Sequence, residues 1–100
     1  MQYTTYKIIG DTDLDSSEAA GYGYYFIDVT ANTVIEMSSF MSTGMVYIFN
    51  RLDTSTATVT LNTKENQEIN GGSSISIPNG SYIEVISDGN EWIASTFTKD

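Results

Sequence analysis

Tyr82-Ile83-Glu84-Val85-Ile86-Ser87-Asp88-Gly89-Asn90-Glu91-Trp92 carries the clearest structural signal in this chain. Tyr82 to Ser87 is rich in aromatic and β-branched residues, and so is Glu91 to Phe97 after it. Between them, Asp88-Gly89 is a tight-turn pair, because glycine enters the left-handed backbone region without a steric penalty. The two runs predict a β-hairpin.

Similar short runs extend back towards the N-terminus. Strands are predicted over Gln2 to Ile9, Tyr22 to Thr30, Thr33 to Met37, Met45 to Arg51, Ala57 to Leu61 and Ser74 to Ile77. Gly10 to Gly23 reads as a polar loop, Ala31-Asn32 and Asp53-Thr54-Ser55 as turns, and Ser38 to Gly44 as a connection. Helical periodicity is missing except for one turn at most, Asp15 to Ala20. Strands spaced by about ten residues with turn signals between them predict an all-β fold, a small antiparallel β-sandwich or roll. The chain of 100 residues is expected to form one domain. Residues 1–21 would be a docking arm and loop, and residues 22–100 the sandwich core.

Two strands depart from simple alternation. Val59-Thr60-Leu61 and Ile75-Ser76-Ile77 alternate apolar with polar, as a strand with one dry face should. Tyr24-Tyr25-Phe26-Ile27 and Met45-Val46-Tyr47-Ile48-Phe49 are apolar on both faces. A strand apolar on both sides needs two dry neighbours. A domain of this size offers one thin core, burying about 65% of the unfolded surface. The second neighbour is either the chain's own loops or another subunit. If it is another subunit, Tyr25, Ile27, Tyr47 and Phe49 are the expected contact residues.

Composition narrows the chemistry. The chain has no Cys and no His, which removes disulfides, thiolate metal sites and the usual imidazole bases and ligands. A net charge of −9 with four basic residues argues against nucleic acid and anionic membrane surfaces as partners. The longest apolar runs are far too short for a spanning helix, so no membrane insertion is expected.

Asp11-Thr12-Asp13-Leu14-Asp15 places carboxylates at alternate positions, as a calcium loop does. Ser16 stands where such a loop needs Gly, and Tyr22 where it needs a bidentate Glu. A solvated acidic loop is the better account, and no metal or other cofactor is expected. Gly71-Gly72-Ser73-Ser74 lacks the following Lys and helix of a phosphate loop. Thirteen acidic residues give many carboxylate pairs, but glycoside hydrolysis also needs a cleft lined by aromatic rings, for which one thin domain has little room unless an intersubunit groove supplies it. The chain is expected not to be an enzyme. Trp92 is expected in the core, whereas Tyr22 and Tyr24 beside the Gly-containing loop are candidates for ligand or receptor contact.

The second half resembles a module of phage tail-fibre, tailspike and head-fibre proteins. The resemblance is carried by Tyr47-Ile48-Phe49-Asn50, by Thr58-Val59-Thr60-Leu61, by Glu68-Ile69-Asn70-Gly71-Gly72 running into Ile75-Ser76-Ile77-Pro78, and by the closing hairpin from Tyr82 to Trp92. It covers Tyr47 to Trp92, about half the chain; Tyr24 to Met37 fits more loosely, and Ser38 to Gly44 lacks the Leu-Pro step common there. It implies a virion protein, a homotrimer that decorates a capsid or forms part of a head fibre or tail fibre. Its partners would then be itself and phage capsid or tail proteins. The alternative is a fibre tip that recognises a host surface glycan.

Overall fold

The chain changes sheet almost every time it completes a strand. A computed structural model describes residues 4–16 and 23–99. In it β1 (Thr4–Ile8), β3 (Gly23–Ile27) and β5 (Val46–Arg51) lie in one sheet, and β2 (Thr12–Asp13), β4 (Thr33–Glu36) and β6 (Val59–Asn62) in the other. Then β7 (Ser74–Ser76) turns back beside β6, and β8 (Ser81–Ser87) and β9 (Trp92–Thr98) return to the first sheet. The result is a five-stranded sheet, β1-β3-β5-β8-β9, and a four-stranded sheet, β2-β4-β6-β7.

The fold is all-β, with mixed sheets where antiparallel ones were expected. The β1–β3, β3–β5, β2–β4 and β4–β6 pairs are parallel. Antiparallel pairing is confined to β5–β8, β6–β7 and β8–β9. The physical reason is connectivity. Parallel neighbours need a crossover, usually a helix; here a strand of the opposite sheet is the crossover. Ala31-Asn32 and Asp53-Thr54-Ser55 are therefore corners between sheets and not hairpin turns. Alternation tells which face of a strand is dry, but it does not tell which way the neighbour runs.

Polar side chains fasten these corners to the next coil. Asp11 accepts from the Val34 amide (2.8 Å) and Asn32 from the Thr58 amide (2.9 Å). The predicted hairpin is present, with Ser87 opposite Trp92. Asp88 Oδ1 accepts the amides of Asn90 and Glu91, both at 2.8 Å. Gly89 has φ +94°, and a Cβ there would lie 2.5 Å from the Thr43 hydroxyl, so the position excludes side chains twice over. Residues 4–8, expected as part of a docking arm, form an edge strand whose Ile8 is buried, so the arm is not a separate element over that span.

The core lies between the sheets. Inward from the larger sheet come Tyr25, Ile27, Tyr47, Phe49, Ile83, Val85 and Trp92, and from the smaller Ile35, Val59 and Leu61. The aromatic rings form a continuous group. Tyr6 stacks on Tyr25 (5.2 Å), Tyr25 on Phe49 (5.1 Å), and Tyr47 meets the edge of Trp92 (5.6 Å). Tyr6, Tyr25 and Phe49 stand in one register on adjacent parallel strands, so the parallel pairing itself creates the stack.

This corrects the expected subunit contacts. Tyr25, Ile27, Tyr47 and Phe49 are each 0% exposed within the single chain. A two-residue period marks two apolar faces equally well, and the face assigned outward is the one that fills the core. Phe49→Asp should therefore unfold the chain instead of dividing an assembly. The milder Phe49→Ala is expected to cost about 3–5 kcal/mol. Urea unfolding of the variant beside the parent measures that loss.

Candidate interaction face

The other parity of the same strands points out of the larger sheet. Its register builds three rows across the face. The first is Lys7, Phe26, Asn50, Tyr82 and Phe97. The second is Thr5, Tyr24, Ile48, Glu84 and Ser95. The third is Val46, Ile86 and Ile93. Ile86, Ile93 and Phe97 are exposed, and Tyr24, Phe26, Val46, Ile48 and Tyr82 are partly exposed. Tyr82 and Phe97 stack at 4.9 Å, and Tyr24 and Phe26 lie at the same distance, tilted.

A short polar chain is set into this surface. Lys99 Nζ donates to Asn50 Oδ1 (2.6 Å) and to the Arg51 carbonyl (2.7 Å). Asn50 Nδ2 in turn donates to the Tyr24 hydroxyl (3.1 Å). The amide orientation is thereby fixed by donors and acceptors on both sides.

The outer face of the smaller sheet is different in kind. Asp13, Glu36, Asn62 and Ser74 share one row, and Val34, Thr60 and Ser76 the next. One sheet thus turns apolar and aromatic groups to the outside, and the other turns hydroxyls, amides and carboxylates.

The acidic residues singled out in the sequence are already committed within the fold. Lys64 Nζ lies 2.7 Å from Asp13, 3.6 Å from Asp15 and 4.0 Å from Glu36, and donates to the Met37 carbonyl at 3.0 Å. Hydrogen bonding from Lys64 holds the Asp13 carboxyl below its ordinary value. Burial opposes ionisation of Asp15, but the Ser39 amide and Ser38 hydroxyl outweigh it and keep that carboxyl low as well. Among the described residues, no group of three or more Asp and Glu is arranged to hold a metal. Burial pushes the Tyr25 and Tyr47 phenols upward, so neither serves as a base near neutral pH.

Arg51 and Asp53 form the buried ion pair, 3.0 Å apart with side chains 2% and 6% exposed. Arg51 also donates to the carbonyls of Ile77 (2.8 Å) and Ala57 (2.6 Å). Asp53 accepts from the Val29 amide and the Ser55 hydroxyl. Each nitrogen of the guanidinium thus has an acceptor within the chain.

Of the two residues expected at a ligand contact, Tyr24 lies on the apolar outer face, and Tyr22 lies outside the described residues. The sequence reading missed Phe26, Ile48, Tyr82, Ile86, Ile93 and Phe97 as a group. Their signal was the second apolar parity of the same strands, legible once the register is known. No family model, curated protein or solved structure matches this chain.

The Asp53 carboxyl carries a pH prediction. Burial works against its charge, yet Arg51, Ser55 and the Val29 amide bring it down to about 2 from 3.8. A carboxyl lowered in the folded state stabilises above its unfolded value and loses that contribution as pH falls through its folded value. Asp53→Asn is therefore expected to cost about 2 kcal/mol at neutral pH. The gap to the parent should close between about pH 4 and pH 2. Thermal unfolding at stepped pH reads it directly.

Proposed function

We propose that this chain is a structural protein of a bacteriophage particle, acting by association and not by catalysis. In this reading it forms a homotrimer that serves as a capsid decoration, head-fibre or tail-fibre module, located in the virion. The observation that carries the reading is the difference between the two outer faces. An apolar, aromatic face suits contact with another protein surface, and a polar, acidic one suits exposure on a crowded particle. The resemblance of Tyr47 to Trp92 to fibre-type modules supports the same reading. Those residues supply β5 to β8 and the start of β9, the half that closes both sheets.

The test is to locate the chain in an electron-microscopy reconstruction of an intact particle, with light scattering of the isolated protein. Density for three copies around an axis, and a mass three times 11.0 kDa, are the expected results. A stable monomer, or a particle in which the chain has no place, would overturn the reading.

One feature favours the glycan-binding alternative enough to test it. The Tyr24–Phe26 and Tyr82–Phe97 ring pairs flank Asn50 and Lys99, so apolar rings and hydrogen-bonding groups lie side by side. If the chain is a receptor-binding tip, a glycan array gives a signal that Tyr82→Ala abolishes. Particle binding with no glycan signal favours the structural role.

A further inference from the structure

We propose that the outer face of the five-stranded sheet is the surface through which copies of this chain meet each other, with the row Val46, Ile86 and Ile93 at one end of the contact and Phe97, two rows further along β9, at the other. The inference rests on the self-association reading above and moves the contact to the opposite side of the strands from Tyr47 and Phe49.

Charge is the first argument. The chain carries −9, so two copies repel one another over most of their surface. On this face the acids Glu84 and, at its margin, Asp28 are matched by Lys7, which lies 3.7 Å from Asp28, and Lys99. It is the outer sheet face on which identical acidic chains can meet without accumulating like charge. The other outer face carries Asp13 and Glu36 in adjacent positions with Asp15 beside them, three acids against the single base Lys64. The row Val46, Ile86 and Ile93 has no charge at all, which makes it the natural place for the copies to come closest.

The edge is the second argument. β9 is the last strand of the larger sheet; Glu68, Ile69 and Asn70 cover its outer edge at Trp92 and Ala94, which leaves Thr96 to Thr98, with Phe97 at 42% exposure, as the stretch without a neighbouring strand among the described residues. Long apolar edges invite uncontrolled pairing, and proteins blunt, charge or cover them. β9 has no proline, and its outward side chains are Ile93, Ser95 and Phe97, none of them charged. A neighbouring copy covers the remaining stretch.

Size is the third. Five strands and a common length of about five residues give a face of about 24 Å by 17 Å, roughly 400 Å² in projection. A copy thus offers roughly 400 Å², shared between two neighbours in a trimer or about 800 Å² in all for a twofold pair, less than the roughly 1,000 Å² of a stable specific contact, so the contact is a weak one. The association should accordingly be concentration-dependent, assembling within the micromolar to millimolar range.

Sedimentation of the full chain across that range tests the proposal, with three variants beside the parent. Ile93→Glu with Phe97→Glu should weaken assembly by at least about a hundredfold. Ile93→Thr with Phe97→Thr keeps good strand formers, adds no charge and should weaken it by about tenfold. Val34→Glu, at a position of similar exposure (38%) on the other sheet, should leave the mass unchanged. Circular dichroism of each variant confirms that it folds.

A trimer that the β9 variants dissolve supports both readings. A dimer that they dissolve supports this surface and overturns the threefold one. An assembly that the β9 variants leave intact, or that Val34→Glu dissolves, overturns this surface and leaves self-association standing. A parent that stays monomeric throughout overturns both.

Discussion

A chain that crosses between sheets at most of its connections must bury backbone where it crosses, and one guanidinium meets that need at the end of β5. Arg51 extends inward from the end of β5 and reaches the carbonyls of Ala57 and Ile77, on the way into β6 and out of β7. Asp53 holds the guanidinium in place and takes the Val29 amide from the preceding corner. Buried polar groups left without partners would cost far more than the net worth of the bonds made. Breaking a buried pair by removing one member is correspondingly severe. Above this polar end, the ring group from Tyr6 through Tyr25, Phe49 and Tyr47 to Trp92 fills the space between the sheets.

Much of this was legible in the sequence, and what was not has a definite cause. The Asp88-Gly89 hairpin, the short strands and the absence of helix follow from local turn chemistry and β-branched runs, which need no knowledge of the partner. Strand direction is not local. Nothing in Thr33-Val34-Ile35-Glu36 records whether its neighbour arrives by a hairpin or by way of the opposite sheet. The four basic residues were counted for their charge, and Arg51 was not marked as structural. Its place in the inward parity of Tyr47, Phe49 and Arg51, two residues before Asp53, was the available sign of a buried pair.

The double-faced strands show how a correct observation can support a misplaced site. Tyr24 to Ile27 and Val46 to Phe49 are apolar on both sides, as the sequence indicates, and one side fills the chain's own core. The surplus lies on the other side. Parity alone cannot rank the two, because the inner set is larger only after β8 and Trp92 are folded against it. The contrast between the two sheets appears only when the rows Val46–Ile86–Ile93 and Asp13–Glu36–Asn62 are assembled from distant parts of the chain.

The placement of β5 between β3 and β8 has a consequence for how the molecule comes into being. Each parallel pair joins segments separated by a full circuit of the chain, so chain entropy is lost before those contacts return anything. The two strands of the closing hairpin are near in sequence, and they are synthesised after the strands they close. The early coils therefore emerge from the ribosome with one hydrogen-bonding edge of β5 unpaired until β8 docks on it. The larger sheet is therefore complete only once β8 and β9 are in hand, whatever the early coils have already paired.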